Sequence, residues 1–279
     1  MKTSEQKIYG FNACMAFAKA YPDQVIRAYC TPALQKKLGF LLKHLAQHKR
    51  AYHLVTESEL AKLSGSEHHE GVLLLISRPA LMSELDVFKQ LGSGKLADSE
   101  CLLCLDGVSN PHNLGSIART AAHYGIQRIA LFNLTNEQLK ALVSGAYHRT
   151  AEGGAVHVQL CDIKEPLNFL ERLKKDFSFT VAATSSHAKS SSLHNTTLPK
   201  RLALLMGSET DGVSQQLLEA AQLKVCINGT GHVESLNVAS ATAILLNEYS
   251  RQLQRRTEES LSTKPTFVGR PEGRKRNGS

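Results

Sequence analysis

The 279-residue chain contains no tryptophan, and only 6% of its residues are aromatic. No apolar run approaches the ~20 residues that a membrane-spanning helix needs, so no membrane span is expected. The opening stretch MKTSEQKIYG lacks the apolar core of a secretory signal, and a cytoplasmic location is expected. No Gly-x-Gly-x-x-Gly follows any candidate strand, which disfavours a nicotinamide-dependent Rossmann enzyme. The GSGKL at Gly92 is not a phosphate loop: Leu96 stands where Ser or Thr is required, and no Gly lies five residues before Gly94. Cysteines are few: Cys14, Cys30, Cys101, Cys104, Cys161 and Cys226. Cys101 and Cys104 form a C-x-x-C, but inside an apolar strand-like run, where positions i and i+3 point to opposite faces. They read as small buried apolar residues, and no metal site is expected.

What is present is a hydrophobic fraction of 42%, ample for real cores, and a net charge of +8. The charge is uneven. Residues 1–80 carry 11 Lys and Arg against 6 acids, residues 81–250 carry 14 against 16, and residues 251–279 carry 8 against 3. Basic flanks around a near-neutral body suit a polyanionic partner, most simply nucleic acid.

The first 80 residues read as a small α/β unit. FNACMAFAKA is helical and stops at Pro22, VIRAYC is a strand, ALQKKLGFLLKHLAQHKR is a second helix, and AYHLV is a strand. ESELAKLSG then gives a short helix, and GVLLLIS a buried strand. Residues 81–99, with Gly92-Ser93-Gly94 inside them, read as a linker. A second α/β unit, 100–256, follows. CLLCLDGV, IQRIALFN, AVHVQL, FTVAATS, LALLMGS and LKVCIN are strands. Helices lie between them, among them Asn113–Tyr124, one unbroken NEQLKALVSGAYH, and a final helix from about Ser235 to Arg256. Continuous apolar strands alternating with helices predict a parallel sheet covered on both faces, with ligands at the carboxyl ends of its strands. Residues 257–279 read as a basic disordered tail.

Three loops at such strand ends gather the unusual polar residues. NLGSIAR has the form N-x-G-x-x-x-R, MGSETDGVS the form G-x-E-x-x-G, and VESLNVASA carries Ser-Leu-Asn before a long helix. Singly, each has a plain account: Asn113 and Ser235 as helix caps, Arg119 as a surface charge, Glu209 as part of a polar turn. Together, in this order, they resemble the motifs of the SpoU (TrmH-like) RNA ribose methyltransferases of the SPOUT superfamily, over roughly residues 101–250. SGAYHRTAEGG is similar to that family's Ser-Gly-Ala region with extra residues, and residues 1–80 resemble the small RNA-binding domain that precedes it in many members.

The resemblance implies methyl transfer from S-adenosylmethionine (SAM) to a ribose 2′-hydroxyl of tRNA or rRNA. It also implies a deep trefoil knot and a homodimer whose active site is completed across the interface. Gly207, Ile227 and Leu236 fall on the family's SAM-binding positions, with Thr184 beside them. Asn113, Arg119, Glu209, Ser235 and Asn237 fall on its catalytic or substrate-contacting positions. These residue types suit the chemistry. A ribose hydroxyl is a poor nucleophile that needs a proton acceptor or charge stabilisation, and an Arg orients phosphate or stabilises negative charge. One departure bears on SAM affinity. Asn228 stands where the family usually has Pro, which frees φ and adds an N–H. An RNA-binding protein of the same fold without catalysis, and a base methyltransferase, are the alternatives.

Overall fold

The structure, a computed structural model, describes residues 5–77, 80–93, 99–185 and 190–262. Its N-terminal unit runs β1 (Glu5–Tyr9), α1 (Phe11–Ala20), β2 (Val25–Cys30), α2 (Gly39–Gln47), β3 (Tyr52–Leu54), α3 (Glu57–Ser64) and β4 (Val72–Ser77). The strands lie in the order β1-β4-β2-β3. Only the β2–β3 pair is parallel. Ala13, Cys14, Phe17 and Ala18 of α1 and Leu41, Leu42 and Leu45 of α2 bury against Ile8, Val25, Ala28, Leu74 and Ile76 of the sheet.

The larger unit runs β5 (Met82–Ser83), α4 (Glu84–Ser93), β6 (Glu100–Asp106), α5 (Pro111–His123), β7 (Arg128–Phe132), α6 (Asn136–Leu142), α7 (Gly145–Ala151), β8 (Gln159–Asp162) and α8 (Pro166–Phe177). It continues with β9 (Thr180–Thr184), β10 (Ser191–Ser192), β11 (Arg201–Gly207), α9 (Gln215–Ala220), β12 (Leu223–Cys226) and α10 (Val238–Ser262). Eight strands form one sheet, β10-β12-β9-β11-β6-β7-β8-β5, and every pairing in it is parallel. Two cores flank it. Cys101 and Leu103 point into one, with α5, α6, α7 and α10; Leu102 and Cys104 point into the other, with α4, α8 and α9. The two cysteines therefore face opposite ways, as the strand reading required. Burial pushes both thiols well above their ordinary range, so neither is a thiolate at neutral pH.

Several boundaries differ from the sequence reading. β1 was not anticipated, because EQKIY offers only two inward side chains, Gln6 and Ile8. The segment read as a linker carries β5 and α4, and Val87, Phe88 and Leu91 of α4 are buried in the second core. NEQLKALVSGAYH is two helices, not one. The first starts at a capping box between Thr135 and Gln138, and the second at an extended Ser144. α10 begins at Val238 rather than Ser235 and runs on to Ser262, into the stretch read as tail. Residues 263–279 lie outside the described residues.

α7 is where the two units meet. Gln6 Nε2 donates to the Val143 carbonyl at 2.6 Å, and Asn12 Nδ2 to Glu152 Oε2 at 2.7 Å. A Cβ on Gly145 would strike the Tyr9 ring, and one on Gly10 would strike Arg149. His148 is buried here, edge-on to Phe17, and its Nε2 has no hydrogen-bond partner. Burial pulls its imidazole down to about 4. The folded chain thus refuses a proton that the unfolded chain accepts near 6.5, so stability should fall as pH drops from about 6.5 to about 4. The loss expected across that window is roughly 3 kcal/mol. His148→Phe should flatten it, measured as urea midpoints against pH. An unchanged slope would assign the acid sensitivity to other groups.

Candidate active site

The site is assembled at the carboxyl ends of β6, β11 and β12. After β6, Asn110 caps α5: its Oδ1 accepts from the backbone N–H of His112 at 2.8 Å and of Asn113 at 3.4 Å, and Pro111 occupies the first helical position. Asn113 is therefore inside the helix, not its cap, and its amide is free to reach outward. Gly115 lets α5 lie against α7, since a Cβ there would come 2.7 Å from the Tyr147 carbonyl oxygen and from Thr150 Cβ. One residue of the N-x-G-x-x-x-R motif, Gly115, is thus explained by helix contact.

After β11, the chain folds back on itself. Gly212 N donates to the Ser208 carbonyl at 3.0 Å, and Asp211 N to Ser208 Oγ at 3.1 Å. This tight turn presents Glu209. After β12, the loop 228–236 is exposed and makes no backbone hydrogen bond with the described residues. It ends at Asn237, whose Oδ1 accepts from Ala239 N at 2.9 Å and Ser240 N at 3.4 Å. Asn237 is the N-cap of α10; Ser235, expected in that role, lies two residues outside the helix and is exposed. An Asn oxygen spans the orphan N–H groups of a first turn as well as a Ser does, and the apolar Val238 fixes where the helix begins.

These three loops bring Asn113, Glu209 and Asn237 into one hydrogen-bonded triangle. Asn113 Nδ2 donates to Glu209 Oε1 at 3.1 Å, Asn237 Nδ2 donates to Asn113 Oδ1 at 3.1 Å, and Asn237 Nδ2 also donates to Glu209 Oε1. Among the described residues no hydrogen bond reaches Glu209 Oε2, which leaves a fixed carboxylate oxygen open to a ligand. Arg119 and Ser235 are not in the triangle. Arg119 is exposed and has no hydrogen bond or ion pair among the described residues, while its backbone lies so close to Gly154 that a Cβ added there would come 2.9 Å from the Arg119 Cα.

The candidate SAM positions lie on neighbouring strands. Thr184 ends β9 and donates from Oγ1 to the Leu205 carbonyl at 3.2 Å; Gly207 ends β11, and Ile227 follows β12. Val225 pairs with Thr184 and Leu205 with Ala183, so these ends stand side by side. Leu236 is 45% exposed and Val233 72% exposed in the loop that follows β12. Apolar side chains beside unpaired backbone groups fit a ligand with a flat apolar base and polar edges, which is what SAM offers.

One residue was missed from sequence. Asp106, 4% exposed at the end of β6, accepts from Ser214 N at 2.7 Å and from Asn133 Nδ2 at 2.6 Å. It also stands in register with Gly207. It pins the far end of the Glu209 turn to β6. An acid closing an apolar strand was the available signal, since a buried carboxylate needs partners. Asp106→Ala should cost about 1–3 kcal/mol by leaving the Ser214 N–H unpaired, and should lower turnover with it. A melt and a methylation assay on one preparation check this; unchanged turnover would free Glu209 from dependence on Asp106.

Residues 100–247 match the SpoU rRNA methylase family, and residues 7–82 match the RNA 2′-O ribose methyltransferase substrate-binding family. The chain belongs to the SpoU rRNA methylase family. As a member, it is a SAM-dependent RNA 2′-O-methyltransferase. It is 36% identical over 251 residues to an uncharacterized tRNA/rRNA methyltransferase, YfiF, of Escherichia coli O157:H7, covering 90% of this chain and 69% of that one. It is 30% identical over 248 residues to the 23S rRNA (guanosine-2′-O-)-methyltransferase RlmB of Pasteurella multocida, covering 88% and 98%. In fold it is similar to an RNA 2′-O ribose methyltransferase structure (TM-score 0.69, 23% identity, 90% of each chain). It is also similar to an AdoMet-bound rRNA methyltransferase from Sinorhizobium meliloti (TM-score 0.69, 20% identity, 90% and 89%). Among the described residues no helix is long and apolar enough to cross a membrane.

Proposed function

We propose that this SpoU methyltransferase acts in the cytoplasm on rRNA or tRNA, and that its target ribose is held against the Asn113–Glu209–Asn237 triangle. That triangle carries the reading: three residues from loops up to 124 positions apart converge on one carboxylate oxygen. Full-length relatives that methylate a guanosine ribose of 23S rRNA make rRNA the first substrate to try. In this reading Thr184, Gly207, Ile227 and Leu236 hold SAM, which supplies the methyl group. Domains 1–80 and 100–256 divide RNA grip from chemistry, and the chain threads the family's knot.

The reading includes a homodimer. Six residues separate Arg119 from Asn113, about 9 Å along α5 and roughly 120° around it. Arg119 therefore serves the triangle of a second copy better than its own. Ile244, 39% exposed on the apolar side of α10, and the exposed Val233 and Leu236 supply contact area. A monomer by light scattering with activity retained would remove the dimer from the proposal.

The test is methyl transfer from labelled SAM to rRNA and to tRNA from cells lacking the gene, followed by nucleoside mass spectrometry. A new 2′-O-methyl nucleoside is expected. A methylated base, or no transfer, would overturn the reading. A second reading, RNA binding without catalysis, draws on exposed Asn228 and Gly229 in place of a stiff Pro. SAM calorimetry separates the two.

A further inference from the structure

Outside the strand-end site, one group of metal-capable side chains stands out among the described residues. Asp23, in the 3-10 turn Pro22–Gln24 after α1, and His44 and His48 at the end of α2 each offer one donor atom, all within 4.8 Å of one another. The histidines are four residues apart and so share a helix face; their ring centroids are 4.2 Å apart. His44 Nε2 lies 3.2 Å from Asp23 Oδ1, yet that nitrogen is shut off from solvent and the pair lacks the alignment of a hydrogen bond. A ring nitrogen held beside a carboxylate but out of line with it is poorly served by a shared proton and well served by a cation between the two. Donors on a tetrahedral zinc, each about 2.0–2.2 Å from the metal, stand roughly 3.3 Å apart, and the His44–Asp23 pair already has that spacing.

The supporting contacts agree. His48 Nδ1 is 2.9 Å from the His44 carbonyl oxygen. Donation to that oxygen fixes the tautomer and leaves Nε2 as the ligand atom, the usual arrangement behind a metal-bound imidazole. Arg50 Nη1 donates to the carbonyls of Asp23 at 2.7 Å and Val25 at 2.8 Å, which anchors the turn that presents the carboxylate. Two imidazoles and one carboxylate suit zinc, cobalt or nickel, not calcium or magnesium. We propose that Asp23, His44 and His48 bind a divalent transition cation, with water in the fourth position. The bound ion ties the turn between α1 and β2 to the end of α2. The sequence hid this site because the His44-x-x-x-His48 spacing is common on ordinary helices and its carboxylate partner, Asp23, precedes it by 21 positions (44 − 23) with nothing local to join them.

The test uses the full, untagged chain, reduced and stripped with a chelator, titrated with Co²⁺. One saturable site per chain is expected, with visible d–d bands and no thiolate charge-transfer band, since five of the six cysteines are buried and only Cys226 is partly exposed. Zn²⁺ should displace the cobalt with a Kd below about 100 μM, and should raise the thermal midpoint. The exposed His48→Gln and Asp23→Asn changes should each weaken Co²⁺ binding at least ~10-fold with the far-UV spectrum unchanged, and His44→Gln with His48→Gln should abolish it. No saturable binding, a thiolate band, or binding that survives the double variant would overturn the site.

Discussion

Arg119→Ala is expected to lower methyl transfer at least ~100-fold while leaving the thermal midpoint and SAM binding unchanged. The side chain is exposed and pairs with nothing among the described residues, so its removal exposes no buried partner. Its backbone is another matter: Gly154 packs on it, and α5 is held by α7 through Gly115, so the guanidinium projects from a rigid base. A charge kept on a fixed helix and spent on no internal contact is suited to an external anion. A guanidinium grips a phosphate with two parallel bonds that an ammonium cannot copy, so Arg119→Lys should restore little. A structural role would require a carboxylate partner, and Glu209 is instead held by the two asparagine amides. A melt, a SAM titration and a transfer assay on one preparation decide. Near-parental turnover would remove Arg119 from the reaction, and joint loss of stability and SAM binding would make it structural.

Gly207→Ala should have the next largest effect. The added methyl group falls on the backbone of Gly212 and on the Val213 nitrogen, where no rotamer change relieves it. To make room, the Ser208–Gly212 turn must open, which breaks the Gly212 N to Ser208 O bond and carries Glu209 away from Asn113 and Asn237. Overpacking of this kind costs about 1–3 kcal/mol, or about 2–4 °C of midpoint per kcal/mol in a chain of this size. The functional loss should exceed the loss of stability, because the turn carries Glu209 and begins at Gly207, the residues that the proposed site assigns to the ribose and to SAM. SAM binding and methylation should fall below detection in a protein that still melts cooperatively. SAM affinity equal to the parent's would show that the loop accommodates the methyl group and that Gly207 is dispensable.

The parallel sheet was legible because its central strands, CLLCLD, RIALF and RLALLMG, are apolar on both sides, as a sheet between two cores demands. The place of the candidate residues on the sheet was legible for the same reason: polar motifs directly after such strands can only be at their carboxyl ends. What failed was the choice between neighbouring polar residues. Asn110 rather than Asn113, and Asn237 rather than Ser235, cap their helices. Pro111 marked the first of these, since Pro favours the first helical position and the cap precedes it. The second had no local sign, because Ser and Asn are equally good caps. Long-range partners were invisible from spacing. Asp106 serves a serine 108 positions away, and Gln6 gives β1 a reason to exist only once the Val143 carbonyl is beside it.

The seam at α7 has a practical reach. In the intact chain His148 is dry against Phe17, Val156 packs on the N-terminal core, and the Val143 carbonyl is satisfied by Gln6. Cutting the first 80 residues away would wet that face and expose its apolar side chains to water. A shortened enzyme would be a sticky, self-associating fragment, and its lost activity would measure a damaged surface rather than a missing RNA grip. Dissecting the two halves calls for point changes on the outward faces of the N-terminal unit, with the seam left closed.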